Sequence, residues 1–291
     1  MNEIDLDRSN IYQVNLDARS ENDARIIASK YVPSNSVVLD VGSACGDFGL
    51  FLHRKKACDV HGMEFSIPSI EIAKKTFAYS AIHQVDLNTF HERDFENYYG
   101  YFDCIALLDV LEHVLNPEQT LEKLKRFLKE GGFFVISLPN IAFGDIKLQL
   151  LTDNFAYTED GILDKTHLRF FTFRSIADYL TARGFQIHDC SVKVADVSAR
   201  NYNIPTVVRR YILNDPHSFV YQYVLKADPT DLNRDALAQI NASRMSISWA
   251  QVNFHLGKIR RQNLANAILP AGSARRRIAK KLFASIRKRI K

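Results

Sequence analysis

Cysteine is scarce in this 291-residue chain: Cys45, Cys58, Cys104 and Cys190 are its four, and no two form a CxxC pair. Three lie in apolar, strand-like surroundings, and all are read as reduced thiols. Long hydrophobic runs are missing as well. No stretch approaches the roughly 18 consecutive apolar residues of a membrane span, and the opening MNEIDLDRSN is polar and acidic, unlike a signal peptide. The expectation is a cytoplasmic location. The third absence is local. Residues 236–291 hold 13 of the 38 Lys and Arg and none of the 33 Asp and Glu, so the remainder carries 25 cations against 33 acids. An acidic body with a basic tail argues for a tail that meets an anionic surface. Against these absences, 46% hydrophobic residues suffice for a sizeable core.

Apolar runs of strand length alternate with helix-period segments through the first half, the pattern of a parallel sheet covered by helices. The expected strands are Ser36 to Val41, Cys58 to Glu64, Ala81 to Val85, Phe102 to Leu108 and Phe133 to Leu138. Leu121, Leu124 and Leu128 recur at helical spacing, with Gly131-Gly132 stopping that helix before the next strand. Thr172 to Arg183 reads as a helix ended by Gly184, Phe185 to Val194 as a strand, and Phe219 to Ala227 as the last strand. Asp228-Pro229 marks a boundary. The expected fold class is α/β, a Rossmann-like doubly wound sheet with a C-terminal helical extension. The expected divisions are a domain over 1–228, a helical or coiled-coil segment over 229–269, and a basic amphipathic helix over 270–291.

VVLDVGSACGDFG is a strand running into a glycine-containing turn and then a helix, which brings backbone N–H groups close to a ligand. Asp40 ends that strand, Glu64 the second, and Asp86 follows the third. Three acids at successive strand ends share one edge of the sheet, where open α/β folds bind ligands. A nicotinamide dehydrogenase fits poorly, because its GxGxxG spacing falls here on Gly42, Ala44 and Asp47.

Asp40-Val-Gly42-Ser43-Ala44-Cys-Gly46, Glu64, Asp86 and FDCIALLDVLEHVLNPEQTLEKLKRFLKEGGFFVISLPN together resemble the successive motifs of class I S-adenosylmethionine-dependent methyltransferases. The resemblance runs from Val37 to about Ala227 and departs at Ala44, where the family usually has glycine. It implies a seven-stranded sheet with its last strand antiparallel, and S-adenosylmethionine as cofactor. It further implies that Asp40 and the turn from Gly42 through Ser43 to Gly46 hold the methionine part. Glu64 would take the ribose and Asp86 the adenine, and Phe65 and Leu87 also belong to the expected cofactor site. Leu108 and Asp109 would lie beneath the sulfonium.

A hydroxyl acceptor must lose a proton, and histidine is the usual base near neutral pH. His113 in DVLEHV and His167 in DKTHLRFFT are the catalytic candidates. Asp109, Glu112 and His113, completed by His167, would also suit magnesium or manganese, and resemble a cluster in ubiquinone-pathway O-methyltransferases and small-RNA 2′-O-methyltransferases. LEHV occurs in relatives without metal too, and no residue is assigned as a metal ligand. Asn140, Tyr157 and Arg169, with Phe143, Phe155, Phe170 and Phe171, would suit a polar, ring-shaped acceptor.

The order of HLRFFTFRSIADYLTARGF, a helix and a basic tail resembles bacterial methyltransferases of surface-polysaccharide assembly, which implies a sugar of a lipid-linked glycan as acceptor. Ala238, Ala242, Met245, Trp249, Val252, Leu256 and Ile259 form a heptad seam on one uninterrupted helix, for homo-oligomer formation or for packing on its own domain. Ala274 to Lys291 places Ile278, Leu282, Phe283, Ile286 and Ile290 on one face among cations, suited to an anionic membrane surface on the cytoplasmic side. An RNA acceptor is the alternative partner, less favoured because the tail arginines lack interleaved aromatics. A quinone-like small molecule and a non-catalytic scaffold also stand as alternatives.

Overall fold

A computed structural model describes residues 15–198, 203–245 and 247–257. The chain divides into two compact units, Met1–Ile247 and Ser248–Lys291. The basic segment 270–291 and Ile259 of the heptad seam lie outside the described residues.

The first unit is built on a seven-stranded sheet. Its strands are β1 (Val37–Val41), β2 (Asp59–Glu64), β3 (Tyr79–Gln84), β4 (Phe102–Leu108), β5 (Leu128–Pro139), β6 (Phe185–Val194) and β7 (Val220–Pro229). Their order is β3-β2-β1-β4-β5-β7-β6. β1 pairs parallel with β2 and β4, β2 with β3, and β4 with β5, whereas β7 runs antiparallel to both β5 and β6. The α/β architecture and the antiparallel last strand are as expected. β1 and β4 are almost wholly apolar because helices cover both faces, leaving no solvent side to call for alternation.

Among the described residues the helices of this unit are α1 (Ala24–Ser29), α2 (Asp47–Lys56), α3 (Ile67–Lys74), α4 (Pro117–Lys125), α5 (Gly144–Leu150), α6 (Phe173–Thr181), α7 (Thr206–Leu213) and α8 (Arg234–Arg244). Their starts follow local chemistry. The Asp23 carboxylate accepts the Arg25 N–H at 3.0 Å, Ser66 caps α3, and Thr172 and Ser175 form a reciprocal capping box on α6. Leu16, Ile27, Val32, Phe48 and Leu52 from the helical layer pack on Val38, Val60, Ala106 and Val135 of the strands.

Two expectations need correction. Leu128 does not continue the helix of Leu121 and Leu124: that helix ends at Lys125 with Arg126 as its C-cap, and Leu128 opens β5. The Phe102–Leu128 pairing is followed by a register shift to Cys104–Phe133, so Gly131 and Gly132 sit in an irregularity within the strand. Nor do Ala238 to Ile259 form one helix. α8 ends at Arg244 with Met245 at φ −87°, ψ 78°. Its buried side chains are Leu237 and Asn241, while Ala238 and Ala242 are exposed. The second unit, by itself, contributes a helix over 249–257, capped by Ser248, whose N–H donates to Gln251 Oε1 at 2.9 Å. Among the described residues no helix is long and apolar enough to cross a membrane.

Candidate active site

The C-terminal ends of β1, β2 and β4 open onto a cavity of about 720 Å³. The turn after β1 follows from backbone constraints. Gly42 lies at φ +69°, where a Cβ would approach Val110 Cγ2 to 2.6 Å, so only glycine fits. Its N–H donates to the Met63 carbonyl at 2.7 Å, tying the turn to β2. Ala44 takes a left-handed φ of +45° despite its Cβ. Its N–H donates to Glu64 Oε2 at 2.8 Å, and the Ser66 N–H to Glu64 Oε1 at 2.8 Å. The Glu64 carboxylate is thereby fixed at the cavity wall. Gly46, at φ +84°, does not line the cavity: a Cβ there would come within 2.9 Å of Ala73 Cβ, so it serves the packing of α2 against α3.

Asp40 is buried and accepts a hydrogen bond from the Tyr79 hydroxyl at 2.6 Å. Burial pushes its carboxyl up to about 7, the Tyr79 bond pulling the other way and the Glu64 charge adding to the rise. Asp86 Oδ1 accepts the Asn88 N–H at 2.9 Å. Asp109, at φ +58°, follows β4 and accepts from Ser137 Oγ at 2.7 Å and from Gln222 Nε2 at 2.6 and 2.7 Å. A non-glycine residue in this region marks strain held by its surroundings. The Ser43 hydroxyl lines the cavity, buried and without a hydrogen-bond partner among the described residues.

Beside Asp109 a short 3₁₀ turn, Leu111–His113, carries Glu112 and His113. The backbone carbonyl of Glu112 accepts from the N–H groups of Leu168 at 2.8 Å and Arg169 at 3.2 Å, and so draws the His167 loop onto the turn. The two imidazoles meet edge to face, centroids 4.6 Å apart. His167 Nδ1 lies 3.0 Å from the Ile162 carbonyl, and His113 Nδ1 lies 3.3 Å from the Thr166 carbonyl and 3.0 Å from its hydroxyl, which itself donates to Asp164. A carbonyl only accepts, so each Nδ1 carries the proton and each Nε2 keeps a lone pair. Glu112 is fully buried, and neither carboxylate oxygen is hydrogen-bonded among the described residues. Burial first, and the Asp109 charge second, hold its carboxyl well above the usual range. One ligand atom each from Glu112, His113 and His167 falls within 4.8 Å of the others. Asp109, expected in this cluster, is not in the set: Ser137 and Gln222 satisfy its carboxylate.

Of the residues anticipated from sequence, Asp40, Gly42, Ser43, Glu64, Phe65, Asp86, Leu87, Leu108, Asp109, His113 and His167 line this one cavity, whereas Gly46, Asn140, Tyr157 and Arg169 do not. Asn140 is fully buried, its amide donating to the carbonyls of His217 at 3.1 Å and Val220 at 2.8 Å while its oxygen accepts the Ala142 N–H. It joins the end of β5 to β7 and has no amide N–H left to donate to an acceptor. Arg169 donates to the Leu115 carbonyl at 2.5 Å and holds the loop. Tyr157 is exposed and meets Phe155 and Phe170 in an aromatic cluster, with Phe170 6.3 Å from His167. Phe143 and Phe171 belong to the core. Arg25, Lys193, Tyr221 and Gln222 also line the cavity. They come from a helix start and two late strands, with no motif to flag them.

A sheet of order β3-β2-β1-β4-β5-β7-β6 with β7 reversed, and acids at the ends of its first strands, defines the class I S-adenosylmethionine-dependent methyltransferases, enzymes whose cofactor is S-adenosylmethionine. The chain belongs to the methyltransferase-domain family, whose model matches residues 17–189. It is 25% identical over 181 residues to an uncharacterized protein of Methanocaldococcus jannaschii, covering 56% of this chain and 66% of that protein. It is 32% identical over 116 residues to the mitochondrial ubiquinone biosynthesis O-methyltransferase of Dictyostelium discoideum, covering 36% of each. The chain thus spans less than two thirds of the length of these curated relatives. Among solved structures, a chain of the complex between the Haloferax volcanii Trm112 methyltransferase activator and its methyltransferase aligns with TM-score 0.52 at 15% identity, over 78% of this chain and 95% of that one. The StiE O-MT aligns with TM-score 0.52 at 13% identity, over 78% and 81%. Both show the same fold.

Proposed function

We propose that this protein transfers the methyl group of S-adenosylmethionine to a hydroxyl of an acceptor, a sugar of a lipid-linked glycan or surface polysaccharide. The observation that carries the hydroxyl assignment is Glu112: a buried carboxylate with no hydrogen bond, beside two imidazole Nε2 lone pairs on the cavity wall. A buried carboxylate without partners costs several kcal/mol unless something cationic or protic meets it. The cluster suits proton removal from a hydroxyl, and its two imidazoles and one carboxylate suit a divalent cation, with manganese or zinc preferred over magnesium. Such a cation would supply Lewis acidity at the acceptor oxygen. With a cation on the two Nε2 atoms, His113 and His167 would hold it and the acidified hydroxyl would lose its proton to solvent; without one, an Nε2 would take that proton directly.

The cavity also fits the cofactor. The Ser43 hydroxyl is an unpaired buried donor, Glu64 and Asp86 keep lone pairs beyond their backbone bonds, and Asp40 offers a carboxylate to a cationic ligand. Asp40 and the Gly42–Ser43 turn would hold the methionine part, Glu64 and Phe65 the ribose, and Asp86 and Leu87 the adenine. Bound there, S-adenosylmethionine supplies an electrophilic methyl group, and the work of the chain is alignment.

The sugar is supported by the partly exposed Phe155–Tyr157–Phe170 cluster near His167, a surface for the apolar face of a pyranose, and by the basic amphipathic tail read from the sequence. The similarity to ubiquinone biosynthesis O-methyltransferases supports oxygen as the nucleophile. Full-length protein is incubated with methyl-labelled S-adenosylmethionine and with glycolipid, quinone-precursor and RNA fractions, with and without chelator. Label enters the glycolipid, chelation removes it and manganese restores it, while Glu112→Gln lowers kcat about 100-fold. Label in RNA alone overturns the glycan; turnover indifferent to chelator overturns the cation.

A further inference from the structure

The charges lining the cavity are unevenly distributed. Carboxylates predominate, among them Asp40, Glu64, Asp86 and Asp109, as suits a cofactor with a sulfonium and an amine. Arg25 and Lys193 are the lysine and arginine side chains on its described wall. Arg25 has a partner in its own helix cap, Asp23 Oδ1 at 3.4 Å. Lys193 is different. It is the penultimate residue of β6, its ammonium lies 4.9 Å from the centre of the Tyr221 ring, and it makes no ion pair with any described residue. Burial pulls its ammonium below the usual lysine range, and the nearby Arg25 and Arg19 add to this against attraction from Asp109 and Asp23.

Position separates this ammonium from the adenine end. In the β6–β7 register Lys193 stands opposite Gln222, whose amide holds both oxygens of Asp109. Lys193 therefore belongs to the Asp109 end of the cavity, alongside Tyr221 and the Asp160–Gly161 turn, and is separated by five strands from β3 and the Asp86 side. A largely desolvated ammonium there, with an aromatic face for its neighbour, is stabilised most by an anion that arrives with a ligand.

We propose that Lys193 selects the acceptor by receiving an anionic group on it, a carboxylate or phosphate, so that the substrate is an acidic sugar or sugar phosphate. This rests on the methyltransferase reading of the cavity. The carboxylate of the cofactor's own methionine part is the other source of the same chemistry. Full-length protein loaded with S-adenosylhomocysteine is titrated with glucuronate, inorganic phosphate and, as neutral control, glucose, followed by the NMR signal of labelled lysine amines and by calorimetry. Glucuronate or phosphate binds wild type at least tenfold more tightly than Lys193→Met, Lys193→Arg stays within about threefold of wild type, and glucose discriminates none of them. Equal anion binding by wild type and Lys193→Met, or none by wild type, overturns the proposal. It is equally overturned if Lys193→Met weakens S-adenosylhomocysteine tenfold while leaving 5′-methylthioadenosine, which lacks the carboxylate, unchanged. Failure of wild type to bind S-adenosylhomocysteine overturns the methyltransferase reading instead.

Discussion

At Asp40, burial and ligand binding favour opposite protonation states. Desolvation lifts its carboxyl to about 7, so near neutrality the ligand-free protein holds a proton there that a cationic ligand expels. Affinity for S-adenosylmethionine, measured by calorimetry, therefore rises between about pH 6 and 8 and flattens above. Asp40→Asn weakens binding and removes this slope. Tyr79→Phe, which deletes the hydrogen bond that favours the carboxylate, moves the midpoint to higher pH. For stability the sign is the reverse of the usual carboxylate. The native state binds the extra proton, so the contribution of Asp40 is full below the ordinary carboxylate range and declines as pH rises through about 7. An affinity profile identical in wild type and Asp40→Asn would exclude this account. Asp40, Glu64 and Asp86 were legible as cavity-wall residues because each stands at or just past the end of a strand. Asn140 was misleading for a related reason: a polar residue after β5 looks available in sequence, yet β7 arrives from some eighty residues away to satisfy it. Lys193 and Gln222 were silent because the pairing of β7 with β5 brings Gln222 to Asp109 and the pairing of β6 with β7 sets Lys193 beside it.

Among the elements, strands such as β4 and β6 could be read to the residue, since turn chemistry or a polar boundary fixes both of their ends. The helix after Asp228 could not. Its apparent heptad ran through Ala238 and Ala242, but the buried stripe is one residue earlier, on Leu237 and Asn241, because the partner is β6 and α6 of the same unit. Asn241 explains why the stripe includes an amide. Its Oδ1 accepts the Ile187 N–H at 2.7 Å, and its Nδ2 donates to the Phe185 carbonyl and to Thr181 Oγ1, both at 2.9 Å. The Ile187 and Phe185 groups are backbone groups of a strand at the sheet's edge, which unsatisfied would invite pairing with another chain. Asn241→Leu keeps the volume and removes all three bonds, leaving two buried backbone groups without partners. The expected loss is about 2–4 kcal/mol in urea denaturation, with S-adenosylmethionine affinity in the surviving native fraction unchanged. A loss below about 0.5 kcal/mol would mean that water replaces the amide and that α8 is not what blunts this edge.

At the scale of the whole molecule, the Asn241 bridge from α8 to β6 bears on where the fold ends. The sequence marks its boundary at Asp228-Pro229, a turn signal that follows the last strand. The compact unit, however, continues to Ile247, and α8 is the part of it that covers β6. Truncation separates the two boundaries. A chain ending at Ile247 retains the sheet, every described residue on the cavity wall and the Asn241 amide, and should melt within about 3 °C of the full chain and bind S-adenosylmethionine with the same affinity. A chain ending at Asp228 retains the same cavity wall but exposes Phe185 and Ile187, both fully buried, together with the edge groups that Asn241 satisfies. Uncovering those side chains and backbone groups costs several kcal/mol, roughly 10 °C or more in melting temperature for a domain of this size, and favours association through β6. Concentration-dependent sedimentation of the shorter chain, absent from the longer one, is the diagnostic result. If both truncations melt alike and remain monomeric, α8 is dispensable and the turn at Asp228-Pro229 is the true end of the domain. The same pair tests the tail. Anionic liposomes should sediment the full chain and leave the 1–247 chain in solution, because its 13 cations downstream of residue 236 fall to one, Arg244.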